Sequence, residues 1–324
     1  MNDRSVSLLD NYDIEVLRTW KGRGAILCET NQGILILKEY AGNKEKVVFQ
    51  DALLAMIREK GFINAESIIK NKEQELLTWD QDGSGYILKT YFGGRECNVR
   101  DMEECRYAVA ALAKLHLASR LTKALPGAIM SHGAQWEFEK HNRELKRVKK
   151  YLRDRSQKTD FEIYLLGVYD YFLNLALQIT EELPVVQEGI EGGFVCHGDY
   201  QYHNLLLSDQ EINIVNFEKC IPDSPARDLY LFLRKLLEKN GWVAETGFDL
   251  IMAYEKIRPM EKEEYRQLYY RLAYPEKFWK IVNFYINSGK AWIPGKNLEK
   301  LQKVAQQEDD KKAFLEKFKV RYGL

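Results

Sequence analysis

Apolar and polar residues alternate through residues 14–40 in the segments IEVLRTW, AILCET and GILILKEY, with the turn-forming stretches KGRG and NQG between them. Period-two alternation interrupted by Gly and Asn marks short antiparallel strands. The period changes over residues 44–60, where Val48, Leu53, Met56 and Ile57 follow helical spacing, and Gly61 supplies the stop. Two further strands are expected in SIIKN and in ELLTWDQDGSGYILKTYF, the second folding back at D-G-S-G. The pair Gly93-Gly94 then reads as a connector. Beyond it, helical spacing dominates at 102–120, at 161–183 and from 224 onward, broken over 193–217 by the β-like runs FVCH and INIVNF. The pattern predicts an α+β protein with a small antiparallel β-sheet lobe at residues 1–92 and a larger, mainly helical lobe at 93–324.

Composition narrows the function classes. With 45% hydrophobic and 12% aromatic residues in a chain of 324, a substantial core can be buried. The 48 basic and 48 acidic side chains cancel, so no global field recruits nucleic acid or an anionic membrane, and neither is expected as a partner. Five cysteines, an odd number without any C-x-x-C pair, fit a reducing compartment. The N-terminal MNDRSVSLLDNYD has no basic region followed by an apolar core, so the chain is expected to be soluble and made in the cytoplasm without a signal peptide. The basic run at 143–155 reads as a solvated helix face, with an acidic docking partner as the alternative. Trp136, Trp242, Trp279 and Trp292 are expected in helix packing.

Candidate chemistry gathers in VCHGDYQYHNLLLSDQEINIVNFEKC, residues 195–220. Phosphoryl transfer asks a protein mainly for positioning: a carboxylate to orient the attacking hydroxyl, ligands for Mg²⁺ and a lysine on the phosphates. Asp199, in a tight loop opened by Gly198, suits the base. Asn204, five residues on, offers an amide oxygen to a metal while anchoring the loop. Lys38, within GILILKEY, sits on a strand where a phosphate-pairing lysine belongs, its alternative being a solvent-facing residue on a half-exposed strand. Gly22 and Gly24 of KGRGA would let a hairpin backbone approach phosphates, or simply form an ordinary hairpin. No G-x-S-x-G, H-E-x-x-H or P-loop sequence occurs.

His197-Gly198-Asp199, then Asn204, then Asn216-Phe217-Glu218 and Pro225-Ala226-Arg227-Asp228-Leu229 resemble the aminoglycoside phosphotransferase and choline kinase superfamily. More narrowly, HGDYQYHN, RDLYLFLRKLLEKNGW and AYPEKFWKIVNFYINSGKAW resemble the CotS family of bacterial spore coat proteins. The resemblance implies a bilobal protein kinase-like fold, with a catalytic-type loop at 197–204 and a metal-type strand at 214–218. It also implies ATP and Mg²⁺ as cofactors, a small-molecule acceptor or other coat proteins as partners, and the spore coat as the location. Position by position it implies Lys38 on the phosphates, Asp199 as base and Asn204 as metal ligand, with Asp228 and His197 bracing the loop.

Two departures stand out. Asn216 replaces the aspartate that binds metal in such enzymes, and a neutral oxygen is a weaker ligand for a hard cation. If the segment is extended, Glu218 faces the same side and could supply the missing charge. The glutamate expected on the first helix to pair with Lys38 is absent, since Gln50, Asp51 and Ala52 occupy its neighbourhood while Glu45 and Glu59 lie on the wrong turns. Two functions remain open at this point: an ATP-dependent phosphotransferase acting on a small-molecule hydroxyl or amine, and a catalytically weak or inactive kinase-fold binding protein of the spore coat.

Overall fold

A computed structural model describes residues 3–22, 24–129, 131–184, 193–209, 211–288 and 293–324. Arg23 of the expected KGRG turn and Trp292 lie outside the described residues. The chain packs into two compact units, one formed by residues 1–130, 189–232 and 252–259, the other by 131–188, 233–251 and 260–324.

The first unit opens with a 3-10 helix, Asp3–Asn11, and the strands β1 (Val16–Gly22), β2 (Ala25–Thr30) and β3 (Gly33–Glu39). The helix α1 (Lys44–Glu59) follows, then β4 (Ile68–Ile69), β5 (Thr78–Trp79) and β6 (Gly85–Thr90). These strands make one antiparallel sheet in the order β1-β2-β3-β6-β4, with β5 also paired to β6. The expected period-two strands are therefore present, and the two glycine turns between β1, β2 and β3 join adjacent strands. Leu8 and Leu9 from the 3-10 helix and Tyr12 just after it close one face of the sheet against Ile26, Cys28, Leu35, Leu37, Tyr86 and Leu88. The helix α1 starts where the Asn43 side chain accepts the Lys46 N–H, and it stops at Gly61, whose φ of +85° suits a residue without Cβ.

The same unit continues through β7 (Arg95–Glu96) and α2 (Met102–Ala118), the latter capped by Asp101. The helices α3 (Gly133–Asp154) and α4 (Asp160–Glu182) belong to the second unit. The chain then returns to the first unit with β8 (Val195–Cys196), β9 (Leu205–Ser208), β10 (Glu211–Ile214) and β11 (Ile221–Pro222). β9 lies between β10 and β7, and β11 pairs with β8. The expected strand at 214–218 is corrected here: β10 ends at Ile214, Asn216 takes a left-handed conformation (φ 67°, ψ 58°), and Phe217–Lys219 form a 3-10 turn. Asparagine tolerates that conformation better than most side chains, which is why the chain can turn there.

The remaining helices are α5 (Ala226–Lys239), α6 (Ala244–Glu255), α7 (Lys262–Ala273), α8 (Glu276–Asn287), α9 (Pro294–Gln306) and α10 (Glu308–Tyr322). In the second unit their apolar stripes are largely aromatic. Phe172 stacks on Phe278 with ring centroids 4.5 Å apart, Phe138 on Tyr274 at 4.0 Å, and Phe314 packs against Phe248 and Trp242. Trp279 stacks on His141 and donates to Glu144, as a packing tryptophan should. Trp136 departs from that expectation: it is 44% exposed on the first turn of α3, where its ring lies against His132 of the residues just before the helix and Lys140 within it. The basic run at 143–155 lies mostly on α3, burying Leu145, Val148 and Leu152 and exposing Arg143, Lys146, Arg147 and Lys150. All five cysteines are buried thiols, and among the described residues no helix is long and apolar enough to cross a membrane.

Candidate active site

The loop after β8 is built around one carboxylate. Asp228, at the start of α5, accepts the backbone N–H of His197 (2.6 Å, Oδ2) and of Gly198 (2.9 Å, Oδ1), and His116 Nε2 lies 3.3 Å from Oδ2. Asp228 and His116 are both fully buried, and His116 Nδ1 meets the Tyr254 hydroxyl at 2.6 Å. Burial works against the Asp228 charge, but the His116 bond and the loop N–H groups outweigh it and hold the carboxyl below its ordinary value. Gly198 has φ +78°, and a Cβ there would collide with the Lys219 carbonyl oxygen. His197 accepts the Asp199 N–H on Nδ1 at 3.2 Å, which leaves Nε2 to donate to the Val215 carbonyl at 3.0 Å. Both ring nitrogens are thus engaged with backbone. His116, Cys196 and Asp228 converge closely enough to suggest a metal cluster, yet each is buried and bonded within this scaffold.

Asp199, half-way along the loop, presents its carboxylate to two side chains: Lys219 Nζ at 2.9 Å from Oδ2, and Gln201 Nε2 on Oδ1. Partial burial raises its pKa, but the Lys219 bond and charge more than reverse this, so the carboxyl is held below the usual range. Asn204 donates through Nδ2 to the Asp199 carbonyl (2.8 Å) and accepts on Oδ1 from Asn216 Nδ2 (2.9 Å). Asn216 Oδ1 in turn accepts from Lys38 Nζ at 3.0 Å. Lys38, Asn216, Asn204 and the Asp199 backbone are therefore joined in one continuous chain of hydrogen bonds.

Glu218 also reaches this point, although not by the route expected from an extended strand. The left-handed step at Asn216 and the 3-10 turn after it swing Glu218 back, so that its Oε1 accepts from Lys38 at 2.8 Å. The partner of Lys38 is thus Glu218, not a residue of α1. Gln50 of α1, near the place where that partner was sought, is fully buried with neither amide atom hydrogen-bonded among the described residues.

Sequence reasoning missed the pair that organises this corner. Lys89 on β6 donates to Glu66 (2.8 Å), to Glu218 (3.1 Å) and to Asn216 Oδ1 (3.3 Å). Glu66 is brought alongside by residues 64–66, which run parallel to the end of β10, with Ile214 N–H donating to the Asn64 carbonyl and Ala65 bridging Ile214. Its two oxygens then accept the backbone N–H groups of Asn216 (2.9 Å) and Phe217 (3.0 Å). The available signal was a lysine inside the otherwise apolar run GYILKT, because a charge on a buried strand requires a partner. Burial disfavours the Glu218 charge, yet the ammonium groups of Lys89 and then Lys38 overcome it and pull its carboxyl down to about 2. Glu66 and Glu218 likewise outweigh the desolvation of Lys89, raising its pKa.

Gly22 and Gly24 stand apart from these bonds, at the β1–β2 hairpin. Gly22 pairs with Ala25, and Ala25 pairs with Lys38, so the hairpin lies at the same end of the sheet as the lysine. Gly24 has φ +68°, a conformation that favours glycine.

Comparison with known proteins gives this geometry its context. Residues 5–318 match the family described as "Spore coat putative kinase YutH". Spore coat protein S of Bacillus subtilis (strain 168) is 24% identical over 93% of this chain and 88% of its own length. Among solved structures, an aminoglycoside phosphotransferase from Alicyclobacillus acidocaldarius superposes with a TM-score of 0.83 at 19% identity, covering 98% of this chain and 96% of the other. A spectinomycin phosphotransferase in complex with ADP and spectinomycin gives a TM-score of 0.62 at 12% identity, over 96% and 92% of the two chains. The amicoumacin kinase hAmiN, in complex with AMP-PNP and Ca²⁺, gives 0.62 at 11% identity, over 98% and 94%. The fold is the kinase-like α+β fold of these phosphotransferases.

Proposed function

Because this chain belongs to the YutH family of spore coat kinase-like proteins, we propose that it is an adenine-nucleotide-binding protein of the spore coat in which phosphoryl transfer is weak or absent. One observation carries this reading: the carboxylate and the metal-type oxygens that transfer would need are already bonded to ammonium groups. The Lys38 ammonium is held by Asn216 and Glu218, and the Asp199 carboxylate by Lys219 and Gln201. Phosphoryl transfer depends on oxygens free to hold Mg²⁺ and on a carboxylate free to orient the acceptor. Lys38 is 31% exposed on its strand, which lets it turn to a phosphate. The ADP and AMP-PNP in the two related solved structures support ATP as the ligand.

A second reading, an ATP-dependent phosphotransferase acting on a small-molecule hydroxyl or amine, is favoured by Asp199. Its carboxyl is held below the ordinary range and so stays ionised, on a loop that Asp228 and Asn204 brace. In that reading Asp199 orients the acceptor while Lys219 follows the phosphoryl group. The two are separated by measuring ATP binding together with ADP release across a panel of hydroxyl- and amine-bearing acceptors. Saturable binding without acceptor-dependent ADP supports the first reading. Acceptor-dependent ADP establishes the second, and loss of binding altogether overturns both.

A further inference from the structure

The superfamily resemblance assigns Asn204 to a divalent metal, Asn216 stands where it places a metal-binding aspartate, Glu218 was expected to supply the missing charge, and each of the three has an oxygen committed elsewhere. Asn216 Oδ1 accepts from Lys38 (3.0 Å) and Lys89 (3.3 Å), Glu218 Oε1 accepts from the same two (2.8 and 3.1 Å), and Asn204 Oδ1 accepts from Asn216 (2.9 Å). Mg²⁺ binds oxygens at about 2.0–2.1 Å in near-octahedral geometry and favours carboxylates. An ammonium bonded to the same oxygens repels it and occupies the directions it would need.

Lys89 cannot readily withdraw. Its side chain is buried on β6, and its companion Glu66 is fixed by accepting the backbone N–H groups of Asn216 and Phe217. Moving Lys89 would strand a buried carboxylate, and moving Glu66 would strand two backbone donors. Lys38 differs, because when it leaves for a phosphate, Glu218 keeps Lys89 as its counter-charge. The donor set therefore does not fit a divalent cation. It fits a resident ammonium.

We infer that this site binds its nucleotide without a divalent cation, with Lys89 as the fixed positive charge among the Asn216 and Glu218 oxygens and Lys38 as the movable one that meets the phosphates. The inference rests on the reading above that the ligand is an adenine nucleotide. Lys219, exposed and bonded to Asp199, is a second movable ammonium.

The test is a calorimetric titration of the wild-type chain with ATP, once in excess EDTA and once in excess Mg²⁺. Dissociation constants that agree within about twofold are expected, and Lys38→Met, an exposed-end substitution that leaves the buried pair intact, should weaken ATP at least about tenfold in EDTA. Binding at least about tenfold tighter with Mg²⁺ overturns this inference while leaving the nucleotide reading intact. An unchanged affinity in Lys38→Met overturns the role given to Lys38. Absence of binding in both buffers overturns the nucleotide reading and this inference with it.

Discussion

The Lys89 ammonium and the Glu66 carboxylate lie 2.8 Å apart with side chains 2% and 1% exposed, and Glu66 also holds the backbone on both sides of the Asn216–Phe217 peptide. A buried pair of this kind adds little net stability over an apolar pair, but removing one partner leaves an uncompensated charge. Lys89→Met is expected to cost about 3–5 kcal/mol in urea unfolding. Combining it with Glu66→Gln should cost less than the sum of the single changes, with a coupling of at least about 1 kcal/mol. A Lys89→Met loss under about 0.5 kcal/mol would show that the pair does not organise this corner.

Acid should loosen the same region. Glu218, Asp199 and Asp228 all have folded-state pKa values below their ordinary ones, Glu218 at about 2. A depressed carboxyl contributes stability above its unfolded pKa and loses it as pH falls through the folded one, which sets a window from about pH 5 down to about pH 2. Thermal unfolding midpoints should fall across that window. Glu218→Gln should start lower and fall less steeply, and an equal slope in the variant would remove Glu218 from the explanation.

The loop scaffold makes a separate prediction. Asp228→Asn retains one acceptor for two backbone N–H groups and removes the charge beside His116, so a loss of about 2–3 kcal/mol is expected in chemical denaturation. Gly198→Ala should be at least as damaging, since its φ of +78° and the nearby Lys219 carbonyl both oppose a Cβ. If Gly198→Ala unfolds at the wild-type denaturant concentration, the loop is not held in this conformation in solution.

Gln50 offers a change in the opposite direction. Its buried amide has no hydrogen-bond partner among the described residues, so Gln50→Leu removes two desolvated polar atoms while keeping much of the volume. A gain of about 1 kcal/mol is expected in urea unfolding. A loss of that size instead would mean that the amide is satisfied in solution.

Local features of the sequence revealed the sheet and the loop. The strands of GILILKEY and AILCET were legible because alternation and glycine turns are short-range signals, and Asp199 and Asn204 because they lie five residues apart in one loop. α3 was recognised only over 143–155, as a solvated basic helix face, since charge masked the stripe of Leu145, Val148 and Leu152 that it buries. The position of Glu218 was anticipated for the wrong reason, because a left-handed residue at 216 cannot be told from a strand residue by hydrophobic pattern. Lys89 and Glu66 were illegible as a pair. Lys89 lies on β6 and Glu66 in the loop before β4, and their shared neighbours at 216–218 lie more than a hundred residues further along the chain.

Asn216→Asp supplies the most direct test of the claim that lysine, and not metal, serves this site. The substitution adds a carboxylate where Lys38 and Lys89 converge and removes the amide donor to Asn204. The quantity to measure is the ratio of ATP dissociation constants in EDTA and in Mg²⁺, for wild type and variant side by side. A ratio near one is expected for wild type and for Asn216→Asp alike, because Lys89 stays among these oxygens and becomes the counter-charge of the added carboxylate. A ratio of at least about ten for wild type would contradict the claim, and such a ratio for Asn216→Asp alone would contradict the part given to Lys89.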